Sequence, residues 1–204
     1  ESEESEVIDL CSGGGGPVLA VYESLFASGT HVRITLTDRY PNLDAFGRIC
    51  SLHPSGIRHI AESVDARKVP NALNGLRTMF NAFHHFAPQD ARSILECAVQ
   101  SRQPIGIFEI PERGLVTRLS LVFTPAFVIL ATPFMRPFKW KRLLWTYVIP
   151  LIPLMCLWDG EVSQWRAYSV REMLNLTRGL EDFDWTSARV AIARSPGHLT
   201  YLLG

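Results

Sequence analysis

The chain has 204 residues, enough for one domain with a substantial core. Apolar residues make up 47% and charged residues 20%, a balance that excludes a disordered chain. Lys+Arg and Asp+Glu number 20 each, so the formal charge is zero and the basic excess of a nucleic-acid binder is missing. Cys11, Cys50, Cys97 and Cys156 are far apart, with no CxxC pair and no metal-ligand spacing. That predicts free thiols, no metal and a reducing, cytoplasmic setting. The start, Glu1-Ser2-Glu3-Glu4-Ser5-Glu6, is opposite in sign to a signal peptide. The first strand follows at once, so no N-terminal helix or lid is expected ahead of it.

Val7–Leu10 reads as a short buried strand. Four consecutive glycines, Gly13 to Gly16, follow it, and Pro17 then opens a helix. Glycine permits positive φ and close approach of backbone to a ligand. The helix that follows offers free N–H groups and the positive end of its dipole. The segment therefore reads as a loop for a nucleotide-like or adenosyl ligand. Val18–Ser28 carries its apolar residues at helical spacing, and His31–Thr37 alternates as a second strand ending at Asp38. Pro41 starts a helix through about Ser51. Ile57–Ile60 is a third strand, followed by a loop holding Asp65.

Arg77–Phe80 looks like the end of a fourth strand, running into Asn81-Ala82-Phe83-His84-His85-Phe86. Pro88 opens a helix whose apolar face is Ala91, Ile94, Leu95, Ala98 and Val99. Ile105–Ile110 is a fifth strand, with Glu109 near its end and within reach of Arg113 for an ion pair. Strands and helices alternate, which predicts an α/β fold with a mostly parallel, mixed seven-stranded sheet. Ala188–Ala193 and Leu199–Leu203 are expected to close it as an antiparallel hairpin through Arg194-Ser195-Pro196-Gly197-His198.

In open α/β sheets, ligands bind beyond the carboxyl ends of the strands, where the strand order reverses. The glycines, Asp38, Asp65 and Asn81–His85 all follow strands in that way. Asp38 lies 23 residues after Gly15, close to the spacing of a ribose-binding acid. The alternative uses of Asp38 and Asp65 are a cap on the following helix and a solvated charge cluster with Arg67 and Lys68.

At these residues the chain resembles the class I S-adenosylmethionine-dependent methyltransferases, which have a Rossmann-like fold. Asp9-Leu10-Cys11-Ser12-Gly13-Gly14-Gly15 resembles the family's first motif, with Cys11 where that motif has its first glycine. Leu36-Thr37-Asp38 resembles the ribose-binding acid, and Val64-Asp65-Ala66 the pair that contacts adenine. Phe80–Phe86 resembles the fourth-strand motif lining the donor pocket, and Ile107-Phe108-Glu109 the fifth strand. The resemblance covers about residues 7–110 and the terminal hairpin. It implies S-adenosyl-L-methionine as cofactor, with Asp9, Cys11, Gly13, Gly15, Asp38, Asp65, Ala66 and Asn81 around it. It also implies in-line methyl transfer, in which alignment alone can supply about 7–11 kcal/mol of the barrier. His84 or His85 could take a proton from an oxygen or nitrogen nucleophile, and Glu109 could do the same or anchor the substrate.

Two other readings use the same residues. A nicotinamide-dependent oxidoreductase needs a third small residue in its glycine turn, and Gly13-x-Gly15-x-x-Val18 lacks it. A non-catalytic, membrane-associated or partner-binding protein on the same sheet would have its donor pocket blocked, and Cys11 is the residue that could do so.

The region after Glu112 is different. Leu119–Met135 and Leu143–Trp158 carry no charged residue, and Arg136, Lys139, Lys141 and Arg142 lie between them. Pro125, Pro133, Pro150 and Pro153 interrupt both runs. They predict two buried helices capping the pocket of a small or apolar substrate; the rival is peripheral contact of residues 115–158 with an anionic bilayer. Beyond them, Asp159, Arg166 and Tyr168 are candidate substrate contacts, with a loop-fixing polar network as the alternative. Ser169 and Glu172 form a capping-box pattern for a helix over Val170–Thr177. The domain thus divides into a cofactor half (1–110), an apolar cap and substrate region (111–180) and the terminal hairpin (181–204).

Overall fold

The computed structural model describes residues 5–111, 113–136, 138–192 and 197–204. Its sheet has seven strands: β1 (Ser5–Asp9), β2 (Val32–Leu36), β3 (Ile57–His59), β4 (Leu76–Phe80), β5 (Ile105–Glu109), β6 (Thr186–Ala191) and β7 (His198–Leu203). Their order is β3-β2-β1-β4-β5-β7-β6. The first five pair in parallel, while β7 runs antiparallel to both β5 and β6. The residues expected to turn the β6–β7 hairpin at Arg194, Ser195 and Pro196 lie outside the described residues.

From β1 the chain moves outward through β2 to β3, then returns to the other side of β1 with β4 and β5. The order therefore reverses between β1 and β4, the place where open α/β sheets bind ligands beyond the carboxyl ends of their strands. Successive residues of a strand face opposite ways. Val7 accordingly packs with Val18, Tyr22, Ile34, Leu36, Phe46 and Ile49 under helices α1 (Gly16–Ala27) and α2 (Leu43–Leu52). Ile8 packs on the other face with Met79, Ile94, Leu95 and Ile107 under α3 (Pro88–Gln100).

Helix α2 begins at Leu43 because Asn42 caps it, its Oδ1 accepting from the Ala45 amide at 3.1 Å. Asp38 is therefore free of that task.

Between β5 and β6 stands a helical layer. Helices α4 (Leu115–Leu121) and α5 (Thr124–Ala131) lead through a 3-10 turn to Phe134. Helix α6 (Trp140–Leu143) and a π-helical turn (Leu144–Val148) lead back into α7 (Leu151–Arg166). Pro125 and Pro133 stand in the first turn of their segments and Pro150 caps α7, positions where no amide hydrogen bond is lost. Gly160 lets α4 approach α7: a Cβ there would meet the Leu121 side chain at 2.8 Å. The Tyr147 hydroxyl donates to the Ile129 carbonyl at 2.6 Å, tying the returning leg to α5.

The expectation of two buried helices fails here. No residue of α5 is buried, and Phe127 and Leu130 are each 71% exposed. These runs are apolar on more sides than their few neighbours can cover. Helix α8 (Val170–Leu176) follows, with the capping box of Ser169 and Glu172 complete.

Candidate functional site

The site is built at the carboxyl ends of β1, β2, β4 and β5. Asp9 ends β1 and is 1% exposed. Its Oδ1 accepts from the Thr78 hydroxyl on β4 at 2.9 Å and its Oδ2 from the Ser12 hydroxyl at 2.5 Å. Burial pushes its pKa up to about 7, against the pull of those two hydrogen bonds. Its backbone carbonyl accepts from the Thr37 hydroxyl at 2.8 Å, and the Ser12 amide donates to the Thr37 carbonyl at 2.9 Å. The turn is thus fastened to two strands before it reaches the ligand side.

Cys11, Gly13 and Gly15 take φ of 58°, 53° and 70°. Gly15 has a second constraint, because a Cβ there would run into the Ile49 side chain of α2. Cys11 holds a left-handed conformation that glycine adopts more cheaply. Its thiol is pushed up to about 12 by burial first, then by the Asp38 and Asp9 charges, so it stays protonated.

Asp38 reaches back to this turn. Its Oδ2 accepts from the Gly13 amide and its Oδ1 from the Tyr40 amide, both at 2.8 Å. It remains half-buried beside the glycine turn. Asp65 is held by Arg67, whose Nε and Nη2 donate to its two oxygens at 3.0 and 2.7 Å, with Arg39 at 3.7 Å. The Arg67 hydrogen bonds lower the Asp65 pKa to about 2. The charge cluster considered for Asp65 therefore forms, with Arg67 as its partner. Ala66 beside it is buried. Asn81 stands at φ 51°, and its Oδ1 accepts from the Ile110 amide at 2.8 Å, bracing the end of β4 against the end of β5.

The two adjacent histidines differ sharply. His84 is 3% exposed, and its Nδ1 lies 2.5 Å from Glu109 Oε2. Glu109 is fully buried, and its Oε1 accepts from the Phe83 amide at 2.8 Å. The ion pair of Glu109 with Arg113 considered above does not form. Arg113 instead pairs with Glu172 at 2.9 Å and donates to the Trp165 carbonyl at 3.2 Å. With both carboxylate oxygens engaged inside the protein, Glu109 is placed to orient His84, not to meet a substrate. His84 Nε2 makes no hydrogen bond among the described residues. His84 lines a cavity of about 360 Å³ with His85, Phe86, Arg113, Arg166 and Tyr168. His85 is exposed; burial of one side and the His84 ring beside it lower its pKa.

The three proposed substrate contacts separate. Arg166, at the end of α7, is exposed and lines the cavity. Asp159 is exposed on α7, close enough that its charge acts on His85. Tyr168 has its ring against Phe83, centroids 5.3 Å apart, and its hydroxyl donates to the Phe86 carbonyl at 2.8 Å. It fixes the His84 segment from behind. Thr78, Arg113 and Glu172 complete the site without having been anticipated in it. Thr78 is two residues before the end of β4, on the face that meets Asp9, and strand alternation is the signal that points to it.

No protein-family model and no curated protein sequence matches the chain. Solved structures do. LepI, solved in complex with SAM, superposes over 100% of this chain and 43% of its own, at TM-score 0.56 and 15% identity. An O-methyltransferase family 2 protein from Planctomyces limnophilus, in complex with apigenin, gives 98% and 51%, TM-score 0.57 and 14%. A SAM-dependent methyltransferase from Aquifex aeolicus gives 100% and 84%, TM-score 0.53 and 12%. The chain thus spans less than half the length of LepI. At identities this low the likeness is one of architecture, and it agrees with the strand order and the glycine turn: the chain has the fold of the class I S-adenosylmethionine-dependent methyltransferases.

Proposed function

We propose that the chain binds S-adenosyl-L-methionine at the β1–β4 switch point and transfers its methyl group to an oxygen or nitrogen of a small, apolar acceptor. The observation that carries this reading is the buried His84–Glu109 pair at the ends of β4 and β5, next to the glycine turn in the sheet. The residues at the turn fit the cofactor. A Cβ at Gly14 would meet nothing within 4 Å, so the backbone is open to a ligand there. Asp38, half-buried beside the glycine turn, keeps carboxylate oxygens there for ribose hydroxyls. When bound, the cofactor supplies an electrophilic methyl group on a sulfonium. The protein's part is alignment and removal of one proton from the acceptor.

Glu109 holds His84 with Nδ1 inward, which leaves Nε2 for the proton. Arg113 is already paired with Glu172 on the cavity wall, which leaves Arg166 as the cation for an acceptor that carries a negative group beside its apolar body. LepI solved with SAM and the Planctomyces limnophilus protein solved with apigenin support a donor and an apolar acceptor on this architecture. The nicotinamide alternative is disfavoured, since its third small position is Val18, a buried side chain packed in the core.

Calorimetric titration tests the reading. S-adenosylhomocysteine binds, NADH does not, and Asp38→Ala weakens the binding at least ten-fold. A folded chain that takes up neither ligand overturns the proposal.

A further inference from the structure

From Leu119 to Trp158 the chain has no acidic residue, yet Arg136, Lys139, Lys141 and Arg142 stand together in its middle. The whole chain is neutral, so this positive charge is a local excess. Around it lie large apolar side chains in water: Phe134 is 82% exposed, Trp140 76%, Val148 72% and Phe123 71%. Four of the five tryptophans, Trp140, Trp145, Trp158 and Trp165, belong to this layer, and all are exposed. The exposure goes round the helices: α5 buries none of its residues and α7 buries Pro153 and Gln164. A protein partner would cover one stripe of a helix, whereas a helix apolar on every side, as α5 is, belongs in a continuous apolar medium.

We infer that the α4–α7 layer is a docking surface for an anionic phospholipid bilayer. Thr117–Phe134 is long and apolar enough to cross a membrane by length and composition. The returning leg is not a straight span, because Trp140–Val148 and Leu151–Arg166 meet at 77°. That bend suits a layer lying in the interface, its apolar side chains among the acyl chains. Trp140, Trp145 and Tyr147 sit beside the basic cluster, and indole and phenol rings favour headgroup depth. The lysine and arginine heads then reach anionic phosphates while their stems stay apolar. This proposal does not depend on the methyl-transfer reading.

The test is flotation of the purified full chain with vesicles of phosphatidylcholine alone or mixed with phosphatidylglycerol. Tryptophan quenching by brominated lipid gives a second readout. The protein floats with the anionic vesicles and is quenched there. Replacing Arg136, Lys139, Lys141 and Arg142 together by Gln weakens binding on the order of a hundred-fold or more. The exposed triple variant Phe123→Ser, Phe127→Ser, Leu130→Ser loses flotation while S-adenosylhomocysteine binding and the melting temperature stay unchanged. Three results overturn the inference: no flotation with either vesicle, equal binding to neutral and anionic vesicles, or a stable oligomer whose tryptophans brominated lipid cannot reach. The last would mean that a second copy covers the surface.

Discussion

His84 Nδ1 lies 2.5 Å from Glu109 Oε2; the Glu109 side chain is fully buried, while that of His84 borders the cavity. The carboxylate fixes which histidine nitrogen faces inward, so the pair acts as a unit. Glu109→Gln keeps the shape but can present its amide donor where an acceptor is needed, favouring the wrong tautomer. Methyl transfer in single turnover is expected to fall by about 10²-fold or more. Affinity for S-adenosylhomocysteine stays within two-fold of the parent. His84→Ala gives a similar loss, and the double variant is no worse than either single one. Additive losses would show that the two residues act separately.

Asp9 gives the fold a pH dependence of unusual sign. Its carboxyl titrates near 3.8 when unfolded and at about 7 when buried in the native state. Between those values the folded chain holds a proton that the unfolded chain has lost. Its contribution to stability is therefore present in full only below the unfolded value of 3.8, and is lost as the pH rises from there through about 7. Each unit corresponds to ~1.4 kcal/mol, so the window is worth at most ~4 kcal/mol. Asp9→Asn stays neutral throughout and escapes this loss. The variant should melt above the parent at pH 8, with the gap closing towards pH 4.5. A melting difference that is the same at both pH values sinks the argument.

The alternating half of the fold was legible because its signals are local. Apolar period, proline and the glycine run mark β1 to β5 and α1 to α3 to within a residue or two of their observed ends. The glycine turn, Asp38 and the histidine pair sit after strands in the chain, so their clustering followed from the α/β alternation. Which histidine matters did not follow, because that depends on Glu109, 25 residues away along the chain. The partner of Arg113 was missed for the same reason: Glu172 reaches it only once α7 has folded back over the site. The apolar layer was misread as buried. Hydrophobicity says that a segment leaves water, but not whether protein or lipid receives it.

Gly15 answers to two separate constraints, and they can be measured apart. Its φ of 70° disfavours a side chain, and the Ile49 terminal methyl occupies the place of its Cβ. Gly15→Ala is expected to cost about 2–3 kcal/mol, from backbone strain and overpacking together. Ile49→Val removes the colliding methyl at a cost of ~1 kcal/mol on its own. In urea melts the double variant should be more stable than the sum of the single losses by at least ~0.5 kcal/mol. Strict additivity would rule out the contact as a cause.

The cysteines report on both the site and the apolar layer. Thiolate is the reactive form, so alkylation follows pKa and access. The Cys11 thiol is raised to about 12 and half-buried, so at pH 8 only ~10⁻⁴ of it is ionised. Cys156 is exposed on α7, between Met155 and Leu157. Iodoacetamide on the native chain should therefore modify Cys156 first and Cys11 last, as read by peptide mass spectrometry over time. On the bilayer docking inferred above, phosphatidylglycerol vesicles should slow the Cys156 reaction at least ten-fold and leave Cys50 and Cys97 unchanged, since of these three only Cys156 lies in the α4–α7 layer. Early modification of Cys11 would show that the glycine turn opens in solution. A Cys156 rate indifferent to vesicles would keep α7 out of the bilayer.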